Sequence, residues 1–366
     1  MGERGRAVDD VGILNINSYA GIGLAALIEA HPRLRLAAVA GHSSAGSTLR
    51  ALFPAWGGPD LPVLESLPDD GLDLVFSALP HVAAAKALAP LVRDGQRVVD
   101  LSADFRLRDA AAYAHWYGHE HPAPDLLARA VYGLTETARE AVAAATLVAN
   151  PGCYPTATGL GLAPLLAAGL LDPLHGIIVD AKSGVSGAGR TLRTESLYCE
   201  ATESVAAYGL GGHRHLPEIE QTVATLTGMG PGTGPGAESG TEESDDARLA
   251  VTFVPHLVPM TRGILATTYA RPTERLDAGA LRALYHDYYR RSPCVRVCDT
   301  PPATKWTART NLCAIYPTVD ARTGRLVIVS CIDNLVKGAA GQAVQNANLM
   351  LGLPEALGLP LQADWP

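Results

Sequence analysis

The sequence predicts an α/β fold with two domains, the first built on a parallel sheet and the second of the α+β type. Short apolar strands alternate with helix-length segments through residue 101, which is the rhythm of parallel strands joined by crossover helices. The pattern changes near Asn150, where longer strands begin. At 366 residues the chain also exceeds what one hydrophobic core usually serves.

The elements of the first domain follow from its apolar runs. Buried runs predict strands at 11–16, 34–40, 72–79 and 97–101. A helix is expected over 19–30, because Leu24, Leu27 and Ile28 fall on one face. Ligands of such sheets bind beyond the carboxyl ends of the strands.

The second domain is expected to hold longer strands and to be followed by a return to the first. Its predicted elements are strands at 177–181, 250–254, 263–270 and 325–332 and helices at 215–226 and 278–289. A last helix at 338–351 is expected to rejoin the first domain, so the predicted bounds are 1–150 with 333–366, and 151–332. The stretch 228–246 is rich in Gly, Pro, Ser and acids, which predicts a flexible surface loop.

Composition excludes several classes of protein. A formal net charge of -8 argues against nucleic-acid binding. No window holds ~18 uninterrupted apolar residues and the first ten residues lack an apolar block, so neither a membrane span nor a signal peptide is expected. The six scattered cysteines fit a reducing cytoplasm, and Cys294 with Cys298 lacks the second ligand pair that a zinc site needs.

The turn after the first strand is a candidate dinucleotide-binding site of the Rossmann type. Asn15, Ser18, Tyr19, Ala20 and Gly21 lead into the helix N-terminus, where a pyrophosphate is stabilised. Asn15 and Ser18 stand where two loop glycines are expected, and Asn is the residue that best replaces glycine in a left-handed conformation. The sequence leaves their effect on cofactor affinity open.

The loop after the second strand bears on the choice of cofactor. Gly41-His42-Ser43-Ser44 offers no acid for a ribose 2′-hydroxyl, whereas His42 and Ser43 suit a 2′-phosphate. This favours NADP(H) over NAD(H). An ordinary solvated loop is the alternative.

The candidate nucleophile is Cys153. It lies in the run Asn150-Pro151-Gly152-Cys153-Tyr154-Pro155-Thr156, between an apolar strand and a predicted helix. A helix N-terminus favours thiolate and can hold a developing oxyanion. A buried, inert thiol is the alternative.

A thiolate catalyst needs an acid/base partner. The run 211–221 offers His213 and His215 just before a predicted helix, and the sequence does not choose between them. The run 182–190 is a glycine- and hydroxyl-rich loop whose N–H groups suit a phosphate or the nicotinamide amide. Arg106 and Arg262 are candidates for clamping a substrate carboxylate or phosphate, with surface ion pairs as the alternative.

Taken together, these runs resemble the N-acetyl-gamma-glutamyl-phosphate reductase family, relatives of the aspartate-semialdehyde dehydrogenases. The likeness spans nearly the whole chain, in the family's order, through the runs SALPH (77–81), DLSADFRL (100–107), VANPGCYPTA (148–157), DAKSGVSGAGR (180–190), GGHRHLPEIEQ (211–221), PHLVPMTRGILAT (255–267) and IDNLVKGAAGQAVQN (332–346).

The resemblance implies a Rossmann-type NADP-binding domain with an inserted α+β catalytic domain, a glyceraldehyde-3-phosphate dehydrogenase-like arrangement. It implies that Cys153 is the nucleophile and His215 or His213 the acid/base. It also implies a homo-oligomer, dimer or tetramer, acting on a small-molecule acyl phosphate in arginine biosynthesis. Further residues that it assigns to the cofactor are Pro80, Ser183, Gly184, Gly187 and Asn334.

The expected reaction is NADPH-dependent reduction of N-acetyl-L-glutamyl 5-phosphate to the 5-semialdehyde through a thioester on Cys153. A sister reductase acting on aspartyl phosphate, or on carrier-protein-linked aminoadipyl or glutamyl phosphate, is the first alternative. A nonenzymatic NADP-binding regulator is the second, and the presence of both a cysteine and histidines argues against it.

Overall fold

The computed structural model describes residues 8–228 and 249–364. The chain divides into two compact units. Unit 1 comprises the chain up to Arg108, His121–Pro151 and Ala339–Leu359, and unit 2 comprises Asp109–Glu120, Gly152–Gly338 and the chain from Pro360. The domain bounds expected from the sequence stay a prediction. Apart from Gly228, which ends a helix in the left-handed conformation, the expected flexible loop 228–246 lies outside the described residues.

The strands are β1 (Asp9–Leu14), β2 (Leu34–Ala40), β3 (Val63–Leu64), β4 (Leu74–Ser77), β5 (Val98–Asp100), β6 (Val131–Tyr132), β7 (Leu147–Ala149), β8 (Ile177–Gly184), β9 (Ala206–Ala207), β10 (Val251–Val258), β11 (Ile264–Ala270), β12 (Val295–Val297), β13 (Cys313–Val319) and β14 (Leu326–Ile332).

The α-helices are α1 (Tyr19–Glu29), α2 (Leu49–Leu52), α3 (Ala83–Arg93), α4 (Ala110–Tyr117), α5 (Thr135–Ala144), α6 (Cys153–Ala167), α7 (Tyr198–Ala201), α8 (Leu216–Thr227), α9 (Ala278–Tyr289) and α10 (Gly341–Met350). A π-helical turn, Val336–Ala340, precedes α10. Short 3-10 turns occur at His42–Ser44, Pro124–Leu126, Pro173–His175, Val185–Ala188, Thr194–Ser196 and Thr304–Trp306.

Unit 1 contains a seven-stranded sheet in the order β3-β2-β1-β4-β5-β7-β6. All of its pairings are parallel, and its central strands are buried runs such as Leu74–Ser77, as expected when helices cover both faces. The predicted α/β domain with a parallel, Rossmann-type sheet is confirmed. Its switch point lies between β1 and β4, where the strand order reverses.

Unit 2 contains a second seven-stranded sheet, in the mixed order β12-β13-β14-β11-β8-β10-β9. Burial alternates along β8, β10 and β11, so one face packs and the other is open. Helix α6, buried around nearly its whole circumference, packs among α8, β11 and β14. The half-exposed face is mixed: its apolar side chains are Ile178, Val254, Leu265, Tyr269, Tyr316, Val327 and Val329, and its polar ones are Asp180, Lys182, Thr252, His256, Thr267 and Thr318.

Several element bounds differ from the sequence-based expectation, and two of these differences have a clear physical reason. The first strand is Asp9–Leu14 and not 11–16, because Asn15 has φ 64 and turns the chain out of the strand. The last helix, expected at 338–351, begins as the π-helical turn Val336–Ala340 and becomes α-helical only at Gly341. Within the described ranges, no helix is long and apolar enough to cross a membrane.

Candidate active site

The turn between β1 and α1 is ordered by its own polar groups. Asn15 occupies the left-handed region that its residue type tolerates, and its Nδ2 donates to the Ala78 carbonyl over 2.8 Å. Ser18 is the N-cap of α1, since its Oγ accepts the N–H of Gly21 at 2.9 Å and donates to the Asn15 carbonyl. Both non-glycine residues therefore have a defined structural role in this turn.

Gly21 is the residue of this turn that must lack a side chain. An added Cβ would collide with the carbonyl oxygen of Asn15 and lie 2.9 Å from the Cα of Ile16. The backbone of α1 thus closely approaches the chain just after β1, as a dinucleotide-binding turn requires. Tyr19 and Ala20 form the first turn of the helix, whose N–H groups suit a pyrophosphate.

The loop of His42 and Ser43 is linked to this turn through Asn17. Asn17 Nδ2 donates to Ser43 Oγ, and Ser44 Oγ donates to Asn17 Oδ1. The His42 side chain is exposed, with its Nδ1 3.7 Å from the Glu65 carboxylate. Glu65, which follows β3, was not considered from the sequence, because only the fold brings it to this strand end.

Pro80 belongs to a strained turn that Asp104 stabilises. Val82, the N-cap residue of α3, has φ 68, which is unfavourable for a β-branched residue. The two carboxylate oxygens of Asp104 accept the N–H groups of Val82 and Ala85, each at 2.7 Å. Asp104 therefore caps α3 from a different loop.

Arg106 lies in unit 1 and is largely buried. Its Nε donates to the Asn150 carbonyl and its Nη2 to the Leu101 carbonyl, both over 2.8 Å. These contacts tie the loop after β5 to the loop after β7. They give the guanidinium a structural role besides the predicted binding of substrate.

Cys153 is the first residue of α6, so its thiol sits at a helix N-terminus as the sequence suggested. The N-cap, Gly152, has no side chain to cap the helix. The carboxylate of Glu218, buried on α8, accepts the Gly152 N–H over 2.7 Å. Gly338 also passes close to the cysteine, because an added Cβ there would lie 2.7 Å from Cys153 Cβ.

The two histidines lie together in unit 2, with ring centroids 5.0 Å apart. The backbone N–H of His215 donates to His213 Nδ1 over 3.1 Å. A nitrogen that accepts this bond carries no proton, so neutral His213 is protonated on Nε2. Burial, together with the charge of Arg214, lowers the pKa of His213 to about 4. His213 is therefore a neutral hydrogen-bond donor at physiological pH.

Two tyrosines adjoin the histidines. Tyr208 donates its hydroxyl hydrogen to Tyr154 over 3.1 Å, and Tyr154 donates to the His256 carbonyl. Burial raises the pKa of Tyr154 well above its usual value and that of Tyr208 to about 12. Both phenols therefore stay protonated and can act only as neutral hydrogen-bonding groups.

These residues surround a cavity of about 730 Å³ in unit 2. Cys153, Tyr154, His213 and His215 form part of its wall. Its cationic side chains are Arg193 and Arg214, and the guanidinium of Arg214 lies 5.5 Å from the centre of the Tyr117 ring. The candidate nucleophile, the acid/base candidates and two cationic side chains thus share one cavity. The remaining wall residues are Ser183, Gly187, Ala188, Glu195, Ser196, Ala206, Ala207, Tyr208, Gly212 and Leu257.

The glycine-rich run after β8 brings several predicted residues together. A Cβ on Gly187 would lie 2.8 Å from Ser183 Oγ and 3.6 Å from Asn334 Nδ2. Asn334 Oδ1 accepts the Gly263 N–H, while its Nδ2 donates to Ser186 Oγ. Gly184 cannot carry a side chain either, because Met260 and Arg262 backbone atoms lie 2.8 Å from its Cβ position.

Arg262 lies beside this run without lining the cavity. Its Nη1 is 3.2 Å from Oδ2 of the buried Asp333. Arg193 and Arg214, which do line the cavity, were not singled out from the sequence. Their positions depend on a long irregular segment between β8 and α8, for which the sequence offers no periodicity.

The cysteines other than Cys153 have no catalytic setting. All six are free thiols, and Cys294, Cys298, Cys313 and Cys331 are buried. Among residues 8–228 and 249–364, no group of three or more His, Cys, Asp or Glu side chains is arranged to hold a metal ion.

Fold and site define the class of protein. Residues 10–145 match the model of the semialdehyde dehydrogenase NAD binding domain, and residues 153–334 match that of the semialdehyde dehydrogenase dimerisation domain. Two solved structures agree at the level of fold. Aspartate semialdehyde dehydrogenase II from Vibrio cholerae, complexed with ASA, has a TM-score of 0.68 at 16% identity, covering 94% of this chain and 98% of its own. Aspartate semialdehyde dehydrogenase with NADP from Candida albicans has a TM-score of 0.65 at 16% identity, covering 94% and 99%.

Curated relatives identify one family within this class. An N-acetyl-gamma-glutamyl-phosphate reductase from Dehalococcoides mccartyi is 48% identical, covering 97% of this chain and 98% of its own. Another from Citrifermentans bemidjiense is 47% identical, covering 97% of this chain and 99% of its own. One from Geobacter sulfurreducens is 45% identical, covering 95% of this chain and 97% of its own. The chain belongs to the N-acetyl-gamma-glutamyl-phosphate reductase family. The resemblance noted in the sequence is thereby confirmed.

Proposed function

We propose that the chain reduces N-acetyl-L-glutamyl 5-phosphate to N-acetyl-L-glutamate 5-semialdehyde with NADPH, releasing phosphate, as a step of arginine biosynthesis. The observation that carries this proposal is the cavity in which Cys153, at the start of α6, adjoins His213 and His215. Family membership supplies the substrate class.

The cofactor residues fit a dinucleotide on structural grounds. The close approach at Gly21 and the N-terminus of α1 suit a pyrophosphate in unit 1. Asn15, Ser18, Tyr19, Ala20 and Gly21, with His42, Ser43 and Pro80, are our candidates there. Ser183, Gly184, Gly187 and Asn334 are candidates in unit 2. When bound, the reduced nicotinamide supplies the hydride that the acyl carbon gains.

Cys153 begins the reaction in this proposal. Its thiolate attacks the acyl carbon, the C–O bond to phosphate breaks, and phosphate leaves with that bond's electrons, giving a thioester. The N-terminal N–H groups of α6 favour the thiolate before attack and can stabilise an oxyanion during it. After reduction the C–S bond breaks and the thiolate is regenerated.

The two histidines have different roles in the proposed reaction. His213, neutral and protonated on Nε2, donates a hydrogen bond to the substrate oxygen. His215 gives a proton to the oxygen of the hemithioacetal and takes it back as the aldehyde forms. Arg193 and Arg214, which line the cavity, are further candidates beside Arg106 and Arg262 for binding the two anionic ends of the substrate.

The reverse reaction tests this function. With N-acetylglutamate 5-semialdehyde, phosphate and NADP+, wild type should form NADPH only when phosphate is present. Cys153→Ser should lose about a thousandfold or more of kcat, while Cys199→Ser, at an exposed cysteine, serves as the matched control. Full activity of Cys153→Ser would contradict the thioester. Preference for aspartate semialdehyde, or turnover restricted to a carrier-linked substrate, would assign the chain to a sister reductase.

Cofactor preference is tested separately. We expect NADPH to bind more tightly than NADH, because the loop 41–44 that follows β2 holds His42 and Ser43 and no acidic residue. Replacing the neighbouring Glu65 by Gln should strengthen NADPH binding further, since its carboxylate lies 3.7 Å from His42. Tighter binding of NADH by wild type would overturn the preference.

The chain carries a dimerisation domain, and we propose that it forms a homo-oligomer through the half-exposed sheet face of unit 2. A solvated sheet face is normally polar, but this one presents the apolar side chains Ile178, Leu265, Tyr269, Tyr316 and Val329 together with polar ones such as Asp180 and Thr267. We also place the enzyme in the cytoplasm, where its six free thiols would stay reduced.

A further inference from the structure

An exposed apolar surface lies on the segment between β8 and α8. Large apolar side chains concentrate between residues 192 and 210, with Leu192 and Tyr198 each 81% exposed, Leu210 67%, Val205 63% and Leu197 42%. We call these five residues the apolar patch. A concentration of this kind marks an interaction surface more often than chance exposure does.

The segment that carries the apolar patch also forms a wall of the catalytic cavity. Arg193, Glu195, Ser196, Ala206 and Ala207 line that cavity. The secondary structure of the segment is limited to the turn Thr194–Ser196, the four-residue helix α7 and the two-residue strand β9. Helices this short are not stable on their own, so the wall needs support from outside the segment.

The segment is continuous with the proposed oligomer surface, which indicates that a second copy of the chain supplies this support. β9 pairs with β10 and forms the edge of the sheet whose open face we propose as the oligomer surface. The matched dimerisation domain, residues 153–334, includes the whole segment. Within residues 8–228 and 249–364, β9 is the last strand of this sheet, and a sheet edge is a ready site for contact with another chain.

We propose that a second copy of this chain covers the apolar patch and thereby completes the wall of the catalytic cavity, so that the site is closed to water only in the assembled protein. The inference rests on the proposed self-association and adds the surface and its consequence. A thioester needs such closure, because water that reaches it competes with reduction.

The primary test compares Leu192→Asp/Tyr198→Asp with Leu174→Asp. Leu174 is 84% exposed in the same unit but lies outside the segment, so it is a matched control for adding charge at an exposed leucine. Sedimentation at matched concentration should give the wild-type mass for Leu174→Asp and a smaller mass for the double variant. A double variant of wild-type mass would overturn the inference while leaving self-association intact. A monomeric wild type would overturn both.

Alkylation of Cys153 and Cys199 measures closure of the cavity without any substrate. In the Cys199→Ser background Cys153 is the one cysteine that is not buried, and iodoacetamide should alkylate it about tenfold faster in the double variant than in the control. An unchanged rate in a dissociated variant would show that assembly does not close the cavity. If the double variant does not fold, the reactivity of Cys199 in wild type provides the test. Cys199 is exposed in the single chain, so it should react slowly with iodoacetamide if the oligomer covers the apolar patch. A fast reaction in the oligomer would contradict the proposal.

Discussion

The carboxylate of Glu218 accepts the backbone N–H of Gly152 over 2.7 Å, one residue before the proposed nucleophile. Because Gly152 caps α6 without a side chain, this bond fixes the turn that presents Cys153. Glu218 is therefore a positioning residue, and its charge lies near the helix end that favours thiolate.

Glu218→Gln should keep the hydrogen-bond acceptor but remove the charge, so Cys153 should be alkylated by iodoacetamide at lower pH than in wild type. Glu218→Ala leaves a buried N–H unsatisfied and should lower the free energy of unfolding by about 1–3 kcal/mol, measured by urea titration. Glu220→Gln, on the same helix, is the matched control. Equal alkylation profiles for both Gln variants would refute the charge effect.

A second prediction concerns the strained turn at Val82. Val82→Gly removes the backbone strain at φ 68 in the folded protein but adds conformational entropy to the unfolded chain. The two effects should nearly cancel, leaving the free energy of unfolding within about 1 kcal/mol of wild type. Asp104→Ala, which removes the acceptors of two N–H groups, should destabilise by about 2 kcal/mol or more. In the double variant the two losses should not add, because glycine removes the strain that Asp104 maintains. Strict additivity in urea titrations would count against this coupling.

Arg193 is expected to bind the substrate α-carboxylate. It lines the cavity, and no acidic side chain within residues 8–228 or 249–364 forms an ion pair with it. Arg193→Gln should lower kcat/KM for N-acetylglutamate semialdehyde by about 10–100-fold, mainly through KM. With 4-acetamidobutanal, which lacks the carboxylate, the same change should have little effect. Arg190→Gln, three residues earlier and outside the cavity, is the control; an equal loss on both aldehydes would contradict recognition of the carboxylate.

The two histidines should respond differently to substitution. His215→Gln should lower kcat by about a hundredfold or more and remove one limb of the pH–rate profile. His213→Gln should reduce kcat while preserving the shape of that profile, because His213, with a pKa of about 4, does not titrate near neutrality. If His213→Gln is the variant that loses the limb, the two roles are reversed.

The free energy of unfolding should decrease in acid, because the pKa of His213 is lowered in the folded protein. The pKa of His213 is lower in the folded protein than in the unfolded chain, so between its ordinary value of 6.5 and about 4 the unfolded state binds the proton first. The free energy of unfolding therefore decreases as pH falls through this window. Burial also lowers the pKa values of His31 and His121, so His213→Gln should remove only part of the decrease. Urea titrations across the window measure this part.

The sequence could predict the parallel sheet of unit 1, because its central strands carry apolar runs such as LVF at 74–76. It missed β13 (Cys313–Val319), where Pro317 interrupts the run and only pairing with β14 reveals a strand. β3, β6 and β12 have two or three residues each, too few for a periodicity.

The candidate site also contains some residues that the sequence predicts and others that only the fold reveals. Cys153 and the histidines lie in short runs with local signals, namely a Pro-Gly turn before a helix and paired histidines at a helix start. Glu218 and Tyr208 acquire their partners, Gly152 and Tyr154, only through packing between distant segments. No spacing in the sequence encodes those contacts.

The turn at Asn15 and Ser18 has a thermodynamic consequence for cofactor binding. Flexible glycine loops lose conformational entropy when a ligand orders them, and this loss weakens affinity. Here the Ser18 cap and the Asn15 amide order the turn when the protein folds. The entropy is then lost before the dinucleotide arrives, and association can proceed with little rearrangement of the turn.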